Sequence, residues 1–491
     1  MAGKKKFYVT TPIYYTNASI HLGGAYTTIA ADVLSRWHKL LGEETFFLTG
    51  TDEHGQKVQE IAEQNRRKPK EFVDKIVAEF KEAFKLLNIS EDNFIRTTDS
   101  YHEQEVKDLL NILFKKKLIY KGFYESYYCV GCEQYLTQSD LVDGKCPLHN
   151  RIPELKKEEA YMFKLSTFQD KLLKAIKSGK FSILPEVRRK EIVTFIEGGL
   201  QDISISRLKE KIYWGIELPF DKNHTAWVWP DALWNYVSGL RHAGKENFRK
   251  FWPADVQLMA KDILRVHATI WPALLMGAGY ELPRALFVHG YFTINGQKMS
   301  KSLGNVISPI YLTKKYGADS VRYYLMRNIP FGNDGDVSEQ SLKDRHNNEL
   351  ANKLGNLVSR TAGMCKGKYT KSKLDKELTS KLKFKEISAD MENYEFDRAL
   401  SLIFEYIDEC NAYVQMKEPW KLEGKQKQEV LYNLVDSIRV ISILLESFIP
   451  GTCEKIRGQF GFERADFKKV KFGLTSSGKI EKSEILFKKI E

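Results

Sequence analysis

The sequence predicts an α/β fold built on parallel strands, split by an inserted segment and followed by an all-α bundle. Three observations carry that reading. Strand, helix and strand signals alternate near the start; aromatic residues and closely spaced cysteines take over after about residue 118; helical apolar stripes run beyond about residue 345. At 491 residues, a length of roughly 100–200 residues per domain gives about three domains.

Phe7, Tyr8, Val9 and Thr10 read as a buried strand, and a loop through Pro12 and Asn17 follows. Over residues 24–41 the apolar Ile29, Val33, Leu34 and Trp37 recur at helical spacing, and Gly42 closes the helix. Thr45, Phe46, Phe47, Leu48 and Thr49 read as a second strand. A helix between two strands is the crossover that a parallel pair requires. Parallel sheets bind ligands beyond the carboxyl ends of their strands, so segments 11–24 and 50–55 are expected to line a site.

From about residue 118 the aromatics Tyr120, Phe123, Tyr124, Tyr127 and Tyr128 cluster beside cysteines, and α/β signals return over 227–289, with Leu286, Phe287 and Val288 as a strand. Val430, Leu431, Leu434, Val435, Ile438, Ile441 and Leu445 form one helical stripe, and Phe396, Ala399, Leu400, Ile403 and Ile407 another. Both suit the core of a helix bundle. The expected boundaries are 1–117 and 213–295 for the two halves of the sheet domain, 118–212 for the insertion, 296–345 for a loop and linking segment, and 346–491 for the helical domain. The Lys-rich end, from about Phe467, is expected to be partly mobile.

Lysine and arginine total 76 against 64 acidic residues, a net charge of +12, which hints at a polyanionic partner. Apolar residues make up 43% of the chain, which argues against disorder. The most apolar stretch, 256–280, is broken by Lys261, Asp262, Arg265 and His267, so no transmembrane helix is expected. Behind Lys4, Lys5 and Lys6, the apolar run at 7–10 is too short for a signal peptide. Six cysteines are too few for a disulfide scaffold, and a cytoplasmic location is expected.

Three motifs carry chemistry. Thr16 to Gly24 (TNASIHLGG) joins a strand to a helix start, where backbone N–H groups and the helix dipole suit phosphate. Gly23 allows close approach of a ligand, and His21 can donate to a phosphoryl oxygen. Lys298-Met299-Ser300-Lys301-Ser302 is flanked by Gly296 and Gly304, a loop able to fold ammonium groups over a polyphosphate. Cys129 and Cys132, then Cys146 and His149, have knuckle spacing for tetrahedral zinc, and four protein ligands leave no open position for water.

The first two motifs together resemble the paired signatures of class I aminoacyl-tRNA synthetases. Thr11-Pro12-Ile13-Tyr14-Tyr15, the run Thr49 to Gly55 (TGTDEHG), Val228-Trp229, Asp231-Ala232, Lys261-Asp262-Ile263 and Trp271-Pro272 narrow the resemblance to the methionyl-tRNA synthetase family, over roughly residues 7–420. The resemblance implies a Rossmann-type sheet split by a zinc-bearing insertion and followed by an anticodon-binding helical bundle. It implies ATP with Mg²⁺, L-methionine and methionine tRNA as substrates and partners, with formation of methionyl-adenylate and then methionyl-tRNA. His21, Lys298 and Lys301 take the catalytic role, with Gly23, Gly24 and Asp262 also at ATP. Asp52 takes the α-ammonium, and Arg207 matches an arginine that pairs with it. Ile13, Tyr15, Trp229, Ala232, Leu233, Tyr236, Ile263 and His267 surround the thioether, where aromatic rings suit sulfur. Asn356, Arg360 and Trp420 match anticodon-reading positions. A monomer is expected.

Three positions depart from the family pattern. Gly24 stands where the first motif ends in histidine, Pro230 follows Trp229 where an apolar non-proline residue is usual, and Ala260 precedes Lys261 where glycine is usual. These leave open a second reading, a tRNA-binding paralogue with weakened catalysis.

Overall fold

The computed structural model describes residues 5–132, 134–136, 140–294, 296–298, 307–481 and 485–490. Its centre is a parallel sheet in the order Tyr14–Tyr15, Glu44–Asp52, Lys6–Thr10, Val256–Ala260, Ala285–His289, Ser182–Leu184, with Asn93–Arg96 also paired to Glu44–Asp52. The central strands are buried along most of their length, as expected where helices cover both faces. The helix Leu22–Leu40 crosses between the first two long strands and buries Ile29, Val33, Leu34 and Trp37, the residues whose spacing predicts it. It begins two residues earlier than expected because His21 caps it. The second strand likewise runs on to Asp52, three residues beyond Thr49.

Parallel pairing sends Thr10, Asp52, Ala260 and His289 to the same end of the sheet. The loops that follow therefore converge there, and the register fixes their heights: Thr10 opposes Leu48 and Gln257, and Ala260 opposes His289.

Within the expected insertion, Ile119–Cys129 and Glu154–Phe163 form a long antiparallel pair, flanked by Gln134–Leu136 and Ile203–Ser204. The segment is not wholly separate from the core, however: Ser182–Leu184 lies inside 118–212 yet pairs with Ala285–His289 at the edge of the central sheet. Three residues, of which only Ile183 and Leu184 are apolar, in an otherwise helical stretch gave no periodicity by which to find this strand.

The helical domain is built on Asn356–Cys365, Phe396–Lys417, Gly424–Leu445 and Pro450–Phe460. Both apolar stripes lie in its core. It is joined to the sheet domain through Arg322, whose side chain is fully buried. The guanidinium donates to Asp32 on the helix Leu22–Leu40 at 2.7 Å and to the carbonyls of Phe448 and Ser447 at 2.8 and 2.9 Å. The described residues of the Lys-rich end pack against the rest of the protein. Phe467 meets Trp37 with ring centroids 4.4 Å apart, Gly478–Lys479 pairs with Lys368–Tyr369, and Asn347 exchanges hydrogen bonds with Ile490. Among the described residues no helix is long and apolar enough to cross a membrane.

Candidate active site

A cavity of about 430 Å³ opens at the carboxyl end of the sheet. Its walls gather Ile13, Tyr15, His21, Gly23, Gly24, Asp52, Trp229, Ala232, Leu233, Tyr236, Asp262, Ile263 and His267 from segments up to about 250 residues apart. Of the candidate catalytic, methionine and ATP residues, only the two lysines are missing from this description: Lys301 lies outside the described residues, as does the side chain of Lys298. Tyr14, Asn235, His289, Gly290, Tyr291 and Phe292 also line the cavity, and sequence reasoning missed them.

At the helix start, His21 Nδ1 accepts from the backbone N–H groups of Gly23 at 3.1 Å and Gly24 at 3.3 Å. Two donors expected to be open to phosphate are thus held by the ring. With Nδ1 an acceptor, the neutral imidazole carries its proton on Nε2, the nitrogen from which it can donate. A Cβ at Gly23 would lie 3.0 Å from the His21 ring, tighter than ordinary contact, so glycine leaves the ring room for this cap. Gly24 is enclosed as well: its carbonyl accepts from the Tyr14 hydroxyl at 3.1 Å and from Thr28 at 2.9 Å, and an added Cβ would meet Ile20 at 3.1 Å. One turn on, Thr27 Oγ1 and His289 Nε2 are 2.6 Å apart, while His289 Nδ1 donates to the Gly290 carbonyl. Burial holds His289 down to about 4.

On the other side, Asp52 is buried at its strand end and opposes Tyr15 in register; the Thr16 N–H and hydroxyl donate to its carbonyl. Tyr236 Oη and His267 Nε2 are 2.8 Å apart, and His267 Nδ1 donates to the Ile263 carbonyl at 3.0 Å. Burial drives His267 to about 4, so it is neutral and its Nε2 accepts a hydrogen bond from the Tyr236 hydroxyl. Asp262 sits on the short turn Lys261–Ile263, and Lys261 is tied to Asp334 at 2.5 Å. Pro230 falls in the first turn of the helix Val228–Leu233, where a backbone N–H has no intrahelical partner, so the departure removes no helix hydrogen bond. Arg207 is buried; it donates to Ser204 Oγ and the Ser206 carbonyl, and its guanidinium lies over the Tyr128 and Trp227 rings.

Away from the cavity, Cys129, Cys132, Cys146 and His149 bring their ligand atoms within 4.8 Å of one another. Three of these separations, Cys132 to Cys146 and each of Cys129 and Cys146 to His149 Nδ1, are 3.9 Å. Ligands at zinc distances of about 2.0–2.3 Å in a tetrahedron stand at nearly this spacing, so the donor set fits the metal. Gly131 is required here, because a Cβ would lie 2.6 Å from the His149 ring. In the helical domain, the Arg360 guanidinium lies 5.7 Å from the Trp420 ring centroid, and Asn356 is exposed one helical turn before Arg360.

The chain matches the family model for class I tRNA synthetases (M) over residues 7–151 and 139–362. It is 43% identical over 508 residues to the methionine–tRNA ligase of Caldanaerobacter subterraneus, covering 99% of this chain and 79% of that one. The chain belongs to the class I methionyl-tRNA synthetase family. The family is a class of ATP-dependent ligases. Residues 375–484 match an anticodon-binding domain of tRNA ligases. The methionine–tRNA ligase of Clostridium tetani is also 43% identical, with the same coverage of both chains. Among solved structures, the methionyl-tRNA synthetase of Mycobacterium tuberculosis in complex with methionyl-adenylate superposes with a TM-score of 0.94 at 35% identity, covering 98% of this chain and 99% of that one.

Proposed function

We propose that the chain activates L-methionine with ATP to methionyl-adenylate and passes the methionyl group to the 3′-terminal ribose of methionine tRNA. The observation that carries this reading is the cavity in which the amino-acid residues and the nucleotide residues share one space. Asp52 takes the α-ammonium, and Tyr15, Trp229, Ala232, Leu233, Tyr236 and His267, with Ile13 and Ile263, enclose the side chain. Asp262 holds the ribose. The methionine carboxylate attacks the α-phosphorus and pyrophosphate departs, so the protein's task is alignment and neutralisation of growing charge. His21 donates from Nε2 to a phosphate oxygen, and Lys301 with Lys298 supplies ammonium groups from the loop. Mg²⁺ accompanies ATP and neutralises phosphate charge.

The zinc ligands hold together the tip of the insertion, and the absence of an open coordination position suits a structural metal. Asn356, Arg360 and Trp420 read the anticodon, Trp420 by stacking. Six cysteines, none of them in a disulfide, suit a cytoplasmic enzyme, and we read it as a monomer. Gly24 favours the second reading, in which tRNA binding persists and activation is weakened. Charging of a methionine tRNA transcript with labelled methionine separates the two: turnover supports the first reading, and tRNA binding without acylation supports the second.

A further inference from the structure

Behind the amino-acid end of the cavity runs a chain of buried polar side chains that the reaction described above does not use. We infer that Asp231 is a positioning residue for the amino-acid pocket. Through His54 it clamps the helix carrying Trp229, Ala232 and Leu233 to the strand end carrying Asp52, and through His102 it clamps that helix to the helices behind. The inference rests on the reading of the cavity as a methionine site.

Asp231 is 1% exposed, and each of its oxygens meets a histidine at 2.8 Å: Oδ2 with His54 Nδ1 and Oδ1 with His102 Nε2. A carboxylate only accepts, so both facing nitrogens carry protons, which fixes the orientation of both rings. His54 stands two residues beyond Asp52 and reaches the pocket by a second route, since its backbone carbonyl accepts from the Tyr15 hydroxyl at 3.2 Å. Its ring lies edge-on to Trp214, and its Nε2 is 4.0 Å from Glu103. His102, on the helix Ser100–Lys115, places Nδ1 2.7 Å from Ser238 Oγ on the helix Asn235–His242, the helix of Tyr236. One carboxylate therefore links four elements: the strand end at Asp52 and the helices Val228–Leu233 and Asn235–His242 line the pocket, the helix Ser100–Lys115 does not, and Asp231, His54, His102 and Ser238 are themselves outside the lining. The helix Val228–Leu233 has six residues. A helix that short does not hold itself, so tertiary contacts set its place.

The test compares methionine binding by calorimetry, and methionine-dependent ATP–pyrophosphate exchange, among full-length Asp231→Asn, His54→Ala and His54→Asn proteins. An asparagine amide puts an N–H near the position of Nδ1, so His54→Asn keeps the donor to Asp231. Asp231→Asn and His54→Ala are expected to weaken methionine binding and raise its KM by roughly tenfold or more, with KM for ATP within about twofold, because a small displacement of positioning groups costs this much. His54→Asn is expected to recover most of the loss. Equal loss in the two His54 variants, or equal effects on methionine and ATP, overturns the clamp. Should Asp231→Asn fail to fold, the His54 pair alone decides. If the unmodified protein binds methionine and the variants bind as well as it does, only the clamp falls. If the unmodified protein binds no methionine, the substrate reading falls and the clamp with it.

Discussion

The Tyr236 hydroxyl donates a hydrogen bond to His267 Nε2 across 2.8 Å, and His267 Nδ1 donates to the Ile263 carbonyl. Both nitrogens are committed in the neutral ring, and burial holds its pKa at about 4 against the small upward pull of Ile263. His289 is held at about 4 in the same way. In the unfolded chain both return to about 6.5. A histidine whose folded value is lowered takes its proton first in the unfolded chain, so these two leave stability unaffected above about pH 6.5 and lower it as pH falls toward 4. Each contributes a slope of up to about 1.4 kcal/mol per pH unit. His54 acts in the opposite sense: burial lowers its pKa, but Asp231, Glu103 and Glu53 raise it further, so its contribution is present below about 6.5 and is lost above the raised value. Denaturant unfolding between pH 7 and 4.5 is expected to show acid destabilisation that is shallower in His289→Asn. Identical slopes in the two proteins would contradict the buried neutral assignment.

One equivalent of zinc is expected to bind through Cys129, Cys132, Cys146 and His149. Chelation, or Cys146→Ser, should loosen the insertion, read as faster proteolysis between residues 119 and 163, without removing a metal-bound water from the chemistry. Metal analysis that finds no zinc, with all three thiols titrating freely, would contradict the fit of the site.

Trp420→Ala is expected to impair tRNA charging while sparing methionine-dependent pyrophosphate exchange. Trp420 is 47% exposed, so the change removes little packing. Stacking on one base is worth about 1–3 kcal/mol, or roughly tenfold in charging. Equal loss in both assays would make Trp420 a residue of the fold.

Gly24→His should raise the single-turnover rate of adenylate formation, because an imidazole at the helix start supplies a further donor to charge that grows in the transition state. Such a donor is worth up to about 2.7–4 kcal/mol. The backbone geometry sets a condition: a Cβ here meets Ile20 at 3.1 Å and Tyr14 at 3.4 Å, so the neighbours must yield by a few tenths of an ångström. Gly24→Ala isolates that steric part and is expected to give no gain. A histidine variant no faster than the alanine variant would show that the present site already meets this charge by other contacts.

Much of this molecule was legible in the sequence because its signals are local. The strand–helix–strand unit, the knuckles and the helical stripes each lie within one window of periodicity, and the cavity residues sit in motifs beside strand ends. What was missed depends on contacts across the chain. Nothing local shows that Asp231 meets His54 and His102, 177 and 129 residues away in sequence. Nor does any window show that Thr27 meets His289 or that Ser182–Leu184 joins the central sheet. The packing of the Lys-rich end was not legible either, because composition reports solvent preference, whereas Phe467 is held between the Trp37 and Phe384 rings, which lie far from it in sequence.

The central claim is that the shared cavity activates methionine, and ATP–pyrophosphate exchange measured over a panel of amino acids tests it most directly. The expected result is exchange that depends on L-methionine and is lost in Asp52→Ala, since the ammonium then has no carboxylate. Exchange driven by another amino acid, or none with methionine in a folded, zinc-bearing protein, would contradict it.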